Sequence, residues 1–160
     1  WAGLHFEQCG LPPSFAGFSG QTSGTASVQH MGSSSRPQGA GRLEIDGARI
    51  PMRDSPIPDL DEVQLERFTS DWHLEPARLT ISDTFFKTPE VEGRGQGTIQ
   101  VRPDFQDSTL QLRFTVKQQP YTPAAIERLL RQLPLVPGEP GARALIVQGT
   151  VGEPQVVRNE

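Results

Sequence analysis

The sequence predicts a mainly β fold: a curved antiparallel sheet of short strands, with one amphipathic helix near the C-terminus packed on the sheet or at its end. Three observations carry this. Val91, Gly93, Gly95, Gly97, Ile99 and Val101 fall on one side of an extended segment, and Leu110, Leu112, Phe114 and Val116 repeat the pattern a few residues later. Period-two alternation marks a strand with one apolar and one wet face. The two runs are joined by Arg102-Pro103-Asp104-Phe105-Gln106-Asp107, which makes them an antiparallel pair. Finally, 16 glycines and 15 prolines in 160 residues favour turns and short strands over long helices.

The first strand is read in Trp1 to Gln8, where Leu4 and Phe6 flank His5. Cys9 to Gly20, with Pro12-Pro13, is turn-like. Thr22 to Met31 is small or β-favouring, with Ala26 and Val28 on one face, and reads as an exposed or edge strand whose register is weakly specified. Gly32 to Gly41, with three consecutive serines, suits a flexible loop. Leu43 and Ile45, then Asp46-Gly47, then Ala48 and Ile50 give the strongest short hairpin signal in the chain. The loop Pro51 to Leu60 carries three prolines and cannot be a central strand.

Asp61 to Asp71 fits two patterns. Leu60, Val63 and Phe68 suit a helical stripe, and Val63 with Leu65 alternates as a strand would. Continuation through Thr69 and Trp72 into Leu74, with no capping Gly, favours the strand. Arg78 to Ile81 is a strand by its β-branched content, and Ser82-Asp83 is expected to turn the chain before Thr84-Phe85-Phe86. The helix is expected over Thr122 to Leu133. Thr122 can cap, Pro123 suits the first helical position, and Ile126, Leu129, Leu130 and Leu133 recur at helical spacing until Pro134 stops it. At three turns it is too short to stand alone, so its stripe should rest on the sheet. A last alternating run ends in Gln148-Gly149-Thr150-Val151-Gly152-Glu153-Pro154.

The length suits one domain, residues 1–160, with a real core. A net charge of −4 without long runs argues against a nucleic-acid surface, which needs clustered Lys and Arg. Thirteen arginines against two lysines read as high-GC coding rather than as an arginine-built site. Cys9 stands alone, which excludes an internal disulfide and a Cys-based metal site. The chain opens at Trp1, and no stretch approaches the roughly 18 apolar residues of a membrane helix. It reads as a soluble fragment, with any signal or anchor upstream.

No catalytic constellation is visible. His5, His30 and His73 sit in separate elements without ligand-like spacing, so no metal is expected. Gly93-Arg94-Gly95-Gln96-Gly97 superficially resembles a nucleotide loop, but it runs on into Thr98-Ile99-Gln100-Val101 instead of a helix, so a bent or closely approached strand is expected. Ser19 and Ser23 lack the strand-to-helix elbow of a nucleophile. Cys9 is too far along an extended chain for His5 to activate it. The acidic pairs Asp59 with Asp61 and Asp104 with Asp107 read as turn formers. Trp1, Trp72 and Tyr121 are too scattered to form a sugar-stacking platform. No cofactor is expected.

The second half carries a resemblance. Leu74-x-x-x-Arg78-Leu79-Thr80-Ile81-Ser82-Asp83, then Gly93-x-Gly95-x-Gly97-Thr98-Ile99, then Ser108-x-Leu110-x-Leu112, then the helix and the Gln148 to Pro154 ending follow one another in an order that resembles the type II secretion system protein N family. Val151 stands where that family's ending has Leu. The likeness covers roughly Leu43 to Pro154 and is shared with AsmA-like envelope proteins. It implies a non-enzymatic periplasmic domain, hung from an inner-membrane helix outside this chain, that contacts other secretion-system envelope proteins through exposed strand edges.

The related alternative is a lipid-handling module, in which Val91, Ile99, Val101, Leu110, Leu112, Phe114 and Val116 line a groove for acyl chains. Against it stands an ordinary core, with the helix stripe and a second sheet layer filling the same face.

Overall fold

A computed structural model of the chain describes residues 4–5, 19–29, 38–51 and 62–157. These form one antiparallel meander in which every strand pairs with its neighbours in sequence. Eight strands of four residues or more, β2 (Ser19–Gln29), β3 (Gln38–Pro51), β4 (Glu62–Glu75), β5 (Arg78–Lys87), β6 (Val91–Gln100), β7 (Thr109–Gln118), β8 (Ala142–Thr150) and β9 (Pro154–Val157), follow a two-residue β1 (Leu4–His5). The sheet is curved and unclosed, with β1 and β9 at its two ends. The mainly β fold expected from the alternation is therefore the fold observed. The two runs that announced it are β6 and β7, paired in unbroken register from Val91 opposite Gln118 to Gln100 opposite Thr109.

Three local expectations need correction. Asp46-Gly47 does not turn a hairpin: β3 runs straight through it, and both halves pair with β4, Ile45 opposite Phe68 and Ala48 opposite Leu65. Gly47 takes a φ of +62° as a bulge against β2, the same left-handed backbone a hairpin turn would need. Apolar parity changes there in both strands, from Leu43 and Ile45 to Ala48 and Ile50, and from Phe68 to Leu65 and Val63. Ser82-Asp83 is likewise a bulge inside β5, not a turn. Asp83 has a φ of +45°, and the step from Ile81 to Thr84 is matched by only Gly97 to Gly95 on β6. The extra residue returns Thr84 and Phe86 to the face that holds Leu79 and Ile81. Residues 38–41, expected in a loop, open β3.

The helix α1 is shorter than expected, Ala124–Leu130. Thr122 does not cap it; its hydroxyl instead joins the Glu90 carbonyl and accepts from the Gln119 N–H at 3.1 Å, tying the connection to the β5–β6 turn. At the other end Gln132 and Leu133 donate to carbonyls three residues back, tightening the chain ahead of Pro134. None of its residues is buried, and no strand lies closely along it. Of the expected packing face, Ile126, Leu130 and Leu133 are half-buried and Leu129 is 41% exposed. Arg143 donates to the Leu133 carbonyl at 2.8 Å, so the helix stands at one end of the sheet instead of roofing it.

The β6–β7 loop behaves as its composition suggests. Asp104 accepts from the Gln106 N–H at 3.0 Å and starts a 3-10 turn, Phe105–Asp107. Ser108 is fully buried; its hydroxyl accepts from the Arg102 N–H at 3.0 Å, and its carbonyl accepts from Val151 in the β8–β9 turn. Ser108→Ala strands that N–H, and urea unfolding should record a loss of about 1–3 kcal/mol. A loss within the noise of surface substitutions, about 0.5 kcal/mol, would show that the bond carries no stability.

Cys9, His30, Asp59, Asp61, Trp1 and the loops at 9–18, 32–37 and 52–60 lie outside the described residues.

Candidate functional site: an open apolar trough

Directly opposed residues of an antiparallel pair share a face, so the registers define the apolar surface row by row. One row runs Phe68, Phe86, Gly93, Val116, Arg143 across β4 to β8. The next holds Thr84, Gly95, Phe114 and Leu145, with Ser70 bonded to Thr84 at 2.9 Å between their hydroxyls. Then come Trp72, Ile81, Gly97, Leu112, Val147, and last Leu74, Leu79, Ile99, Leu110, Gly149. Arg143, at one corner and turned to the helix carbonyls, is the sole charged side chain in these four rows.

Three glycines form the middle column. A Cβ on Gly93 would strike the Phe86 ring, one on Gly95 the Phe114 ring, and one on Gly97 the backbone of Gln111 and Leu112. The rings therefore lie down across glycine, and Phe86 meets Phe114 edge-on with centroids 6.0 Å apart. Trp72 does the same over Gly41, where a Cβ would sit 2.6 Å from its ring. This is the closely approached strand expected of the triple-glycine run, and glycine with flanking aromatics is a means of bending a sheet.

The seven groove residues expected from sequence are placed as follows. Val91, Ile99, Leu110, Leu112, Phe114 and Val116 share the face, and Val101 follows just past the end of β6, where its N–H bonds Ala77. Of the seven only Ile99, Leu110 and Val116 are buried; Leu112 and Phe114, like Phe86, Ile81, Trp72 and Leu145 beside them, are half-buried. Among the described residues no second layer covers them. The expected covering by the helix stripe does not occur.

The β4, β5 and β8 contributions escaped the sequence reading. Leu79 and Ile81 alternate visibly, but the Asp83 bulge puts Phe86 out of phase with them, and Trp72 and Leu74 were read only as the continuation that made Asp61 to Asp71 a strand, without a face.

The opposite face carries the ion pairs, together with Phe85, Ala142, Ala144 and Ile146. Arg42 pairs with Glu44 at 2.8 Å and Asp71 at 3.3 Å, and Lys87 with Glu66 at 2.8 Å. The hydrogen bond that Lys87 donates to Glu66, then the Glu66 charge, raises the pKa of the Lys87 ammonium above its ordinary value. In the same way the Glu44 hydrogen bond and the Asp71 charge raise Arg42. All of these groups are exposed enough to contribute little to stability. Among the described residues no His, Cys, Asp or Glu group is arranged to hold a metal, and no helix is long and apolar enough to cross a membrane. His73 is exposed, 3.9 Å from Glu75.

No protein-family model, curated protein or solved structure matches this chain.

Proposed function

We propose that this chain is a non-enzymatic β-sheet module of the bacterial envelope whose open apolar trough holds the acyl chains of a lipid, the AsmA-like alternative raised by its sequence. The observation that carries the reading is the four-row face, uncharged but for Arg143, on which Trp72, Ile81, Phe86, Leu112, Phe114 and Leu145 are only half-buried by the described elements. A sheet face of that composition is costly in water, and each methylene laid on it contributes about 0.8 kcal/mol. From strand rise and spacing the face measures about 20 Å by about 19 Å. That exceeds the depth of one leaflet's hydrocarbon, half of the roughly 30 Å core of a bilayer. Glycine and reclining rings give a smooth floor without side chains that would dictate one ligand shape.

A second reading, an accessory structural part of a type II secretion system that contacts other envelope proteins in the periplasm, is favoured by a different feature. Thr25 to Gln29 of β2 are laddered on β3 alone among the described strands, and such an edge can add a partner's strand.

Native mass spectrometry with lipid extraction separates the two. The domain, exported and purified without detergent, should carry stoichiometric phospholipid. A clean, lipid-free mass would overturn the trough reading and leave the assembly role to pursue.

A further inference from the structure

The face opposite the trough holds a cleft that plays no part in it. It lies over β5 to β7 beside the Asp83 bulge and encloses about 510 Å³, within the range of small-ligand sites. Arg94 and Arg113 line it. The register sets Arg94 opposite Thr115 and Gln96 opposite Arg113, so the two arginines are diagonal neighbours across one ladder. Neither makes a hydrogen bond or ion pair with any described residue. Nearby cations are matched: Lys117 with Glu139 at 3.4 Å, Lys87 with Glu66, Arg42 with Glu44 and Asp71.

Like charges on neighbouring strands repel, and here two stand together with no carboxylate of a described residue within 4.0 Å of either. Thr115 and Gln96 stand at the other two corners of this square, offering a hydroxyl and an amide. Phe85, directly opposite Arg94 on β5, puts a half-buried aromatic ring beside the two arginines, and Ile146 on β8 lies directly opposite Arg113. Asp83 lines the bulged end, and Glu92 and Glu139 lie with Lys117 in the adjoining cleft on the other side of Arg94, so Arg113 is the arginine farther from a carboxylate.

The geometry points to an anion site: a phosphate-class group seated between Arg94 and Arg113, hydrogen-bonded by Thr115 and Gln96, with Phe85 supporting the carbon body that bears it. Guanidinium forks match phosphate oxygens in pairs, which is why two unpaired arginines suit this ligand better than two lysines would. The composition read the arginine excess as coding bias; the register brings two of those arginines to one ligand-sized cleft. The inference is independent of the trough, which opens on the other face.

Titration with inorganic phosphate and phenyl phosphate, followed by amide NMR shifts, tests it. Saturable binding of both is expected. Arg94→Gln and Arg113→Gln should each weaken it about tenfold or more, as loss of charge-assisted hydrogen bonds does. Arg78→Gln, an exposed and unpaired arginine on the same face outside the cleft, should leave it unchanged. Phe85→Leu should weaken phenyl phosphate and spare inorganic phosphate. All of the replaced arginines are exposed, so thermal melting of these variants should match the parent. A linear, unsaturable response, or an equal loss in Arg78→Gln, would overturn the site; a Phe85→Leu variant that binds phenyl phosphate normally would overturn the role of the ring.

Discussion

Gly97→Ala is expected to destabilise the domain by about 1–3 kcal/mol, the usual cost of forcing an extra group into a well-filled position. In a chain of this size each kcal/mol moves the melting midpoint by roughly 2–4 °C, so scanning calorimetry should resolve it. The added methyl would meet the Gln111 carbonyl and Leu112 Cα, which are backbone of the neighbouring strand, so relief requires β6 and β7 to separate. Gly95→Ala meets the Phe114 ring instead, a side chain that can be shortened. Gly95→Ala with Phe114→Leu should therefore recover part of the loss, with a coupling above about 0.5 kcal/mol in a double-mutant cycle. Gly97→Ala should find no such partner. Gly47→Ala is the contrast: no atom lies within 4 Å of the new Cβ, so only the left-handed backbone is strained, at about 1–2 kcal/mol. If Gly97→Ala melts with the parent, the close approach of β6 to β7 is not tight, and the glycine column owes nothing to sterics.

The second large effect concerns Leu112, in the middle of the trough, opposite Gly97 and Val147. Leu112→Glu puts a carboxylate in the middle of a floor whose only other charge is Arg143 at one corner. An acyl chain lying there would either leave or strip water from that carboxylate, at a cost of several kcal/mol. Co-purified phospholipid should fall by tenfold or more, measured as the bound fraction in native mass spectra. Because Leu112 is only half-buried, the carboxylate can stay hydrated in the empty protein, and circular dichroism should still record a folded sheet. Gln111→Glu, at an exposed position on the opposite face, adds the same charge and should keep its lipid. A folded Leu112→Glu variant that retains full lipid would sink the trough as the binding surface.

The lessons about legibility come from particular residues. Alternation alone placed Ile99, Leu110, Leu112, Phe114 and Val116 on one face, because a period of two leaves side chains no other choice once the segment is extended. Their pairing followed from the short loop at Arg102 to Asp107, too short for anything but an antiparallel return. The triple glycine was read as a close approach from its setting inside the alternating run, and the Phe86 and Phe114 rings are what approaches. The β6–β7 pair, its antiparallel sense and half of the trough were thus set by local pattern.

Tertiary structure decided the rest. Asp46-Gly47 supplies one left-handed residue whether the chain reverses or merely kinks, and the 14-residue β4, long enough to pair both halves of β3, selects the kink. Asp83 is similar: its positive φ looks like a turn until β4 and β6 are seen pairing on both sides of it. The apolar stripe of α1 called for a partner but did not say how far the helix would extend over the sheet. The residues flanking it, Thr122 bonded to Glu90 and Leu133 to Arg143, hold it at the margin, so among the described residues it does not roof the trough. Nor does alternation tell which wet-face arginines meet, since that depends on register between strands. Periodicity fixes direction along one strand, whereas bulges, cover and cross-strand neighbours depend on residues remote in sequence.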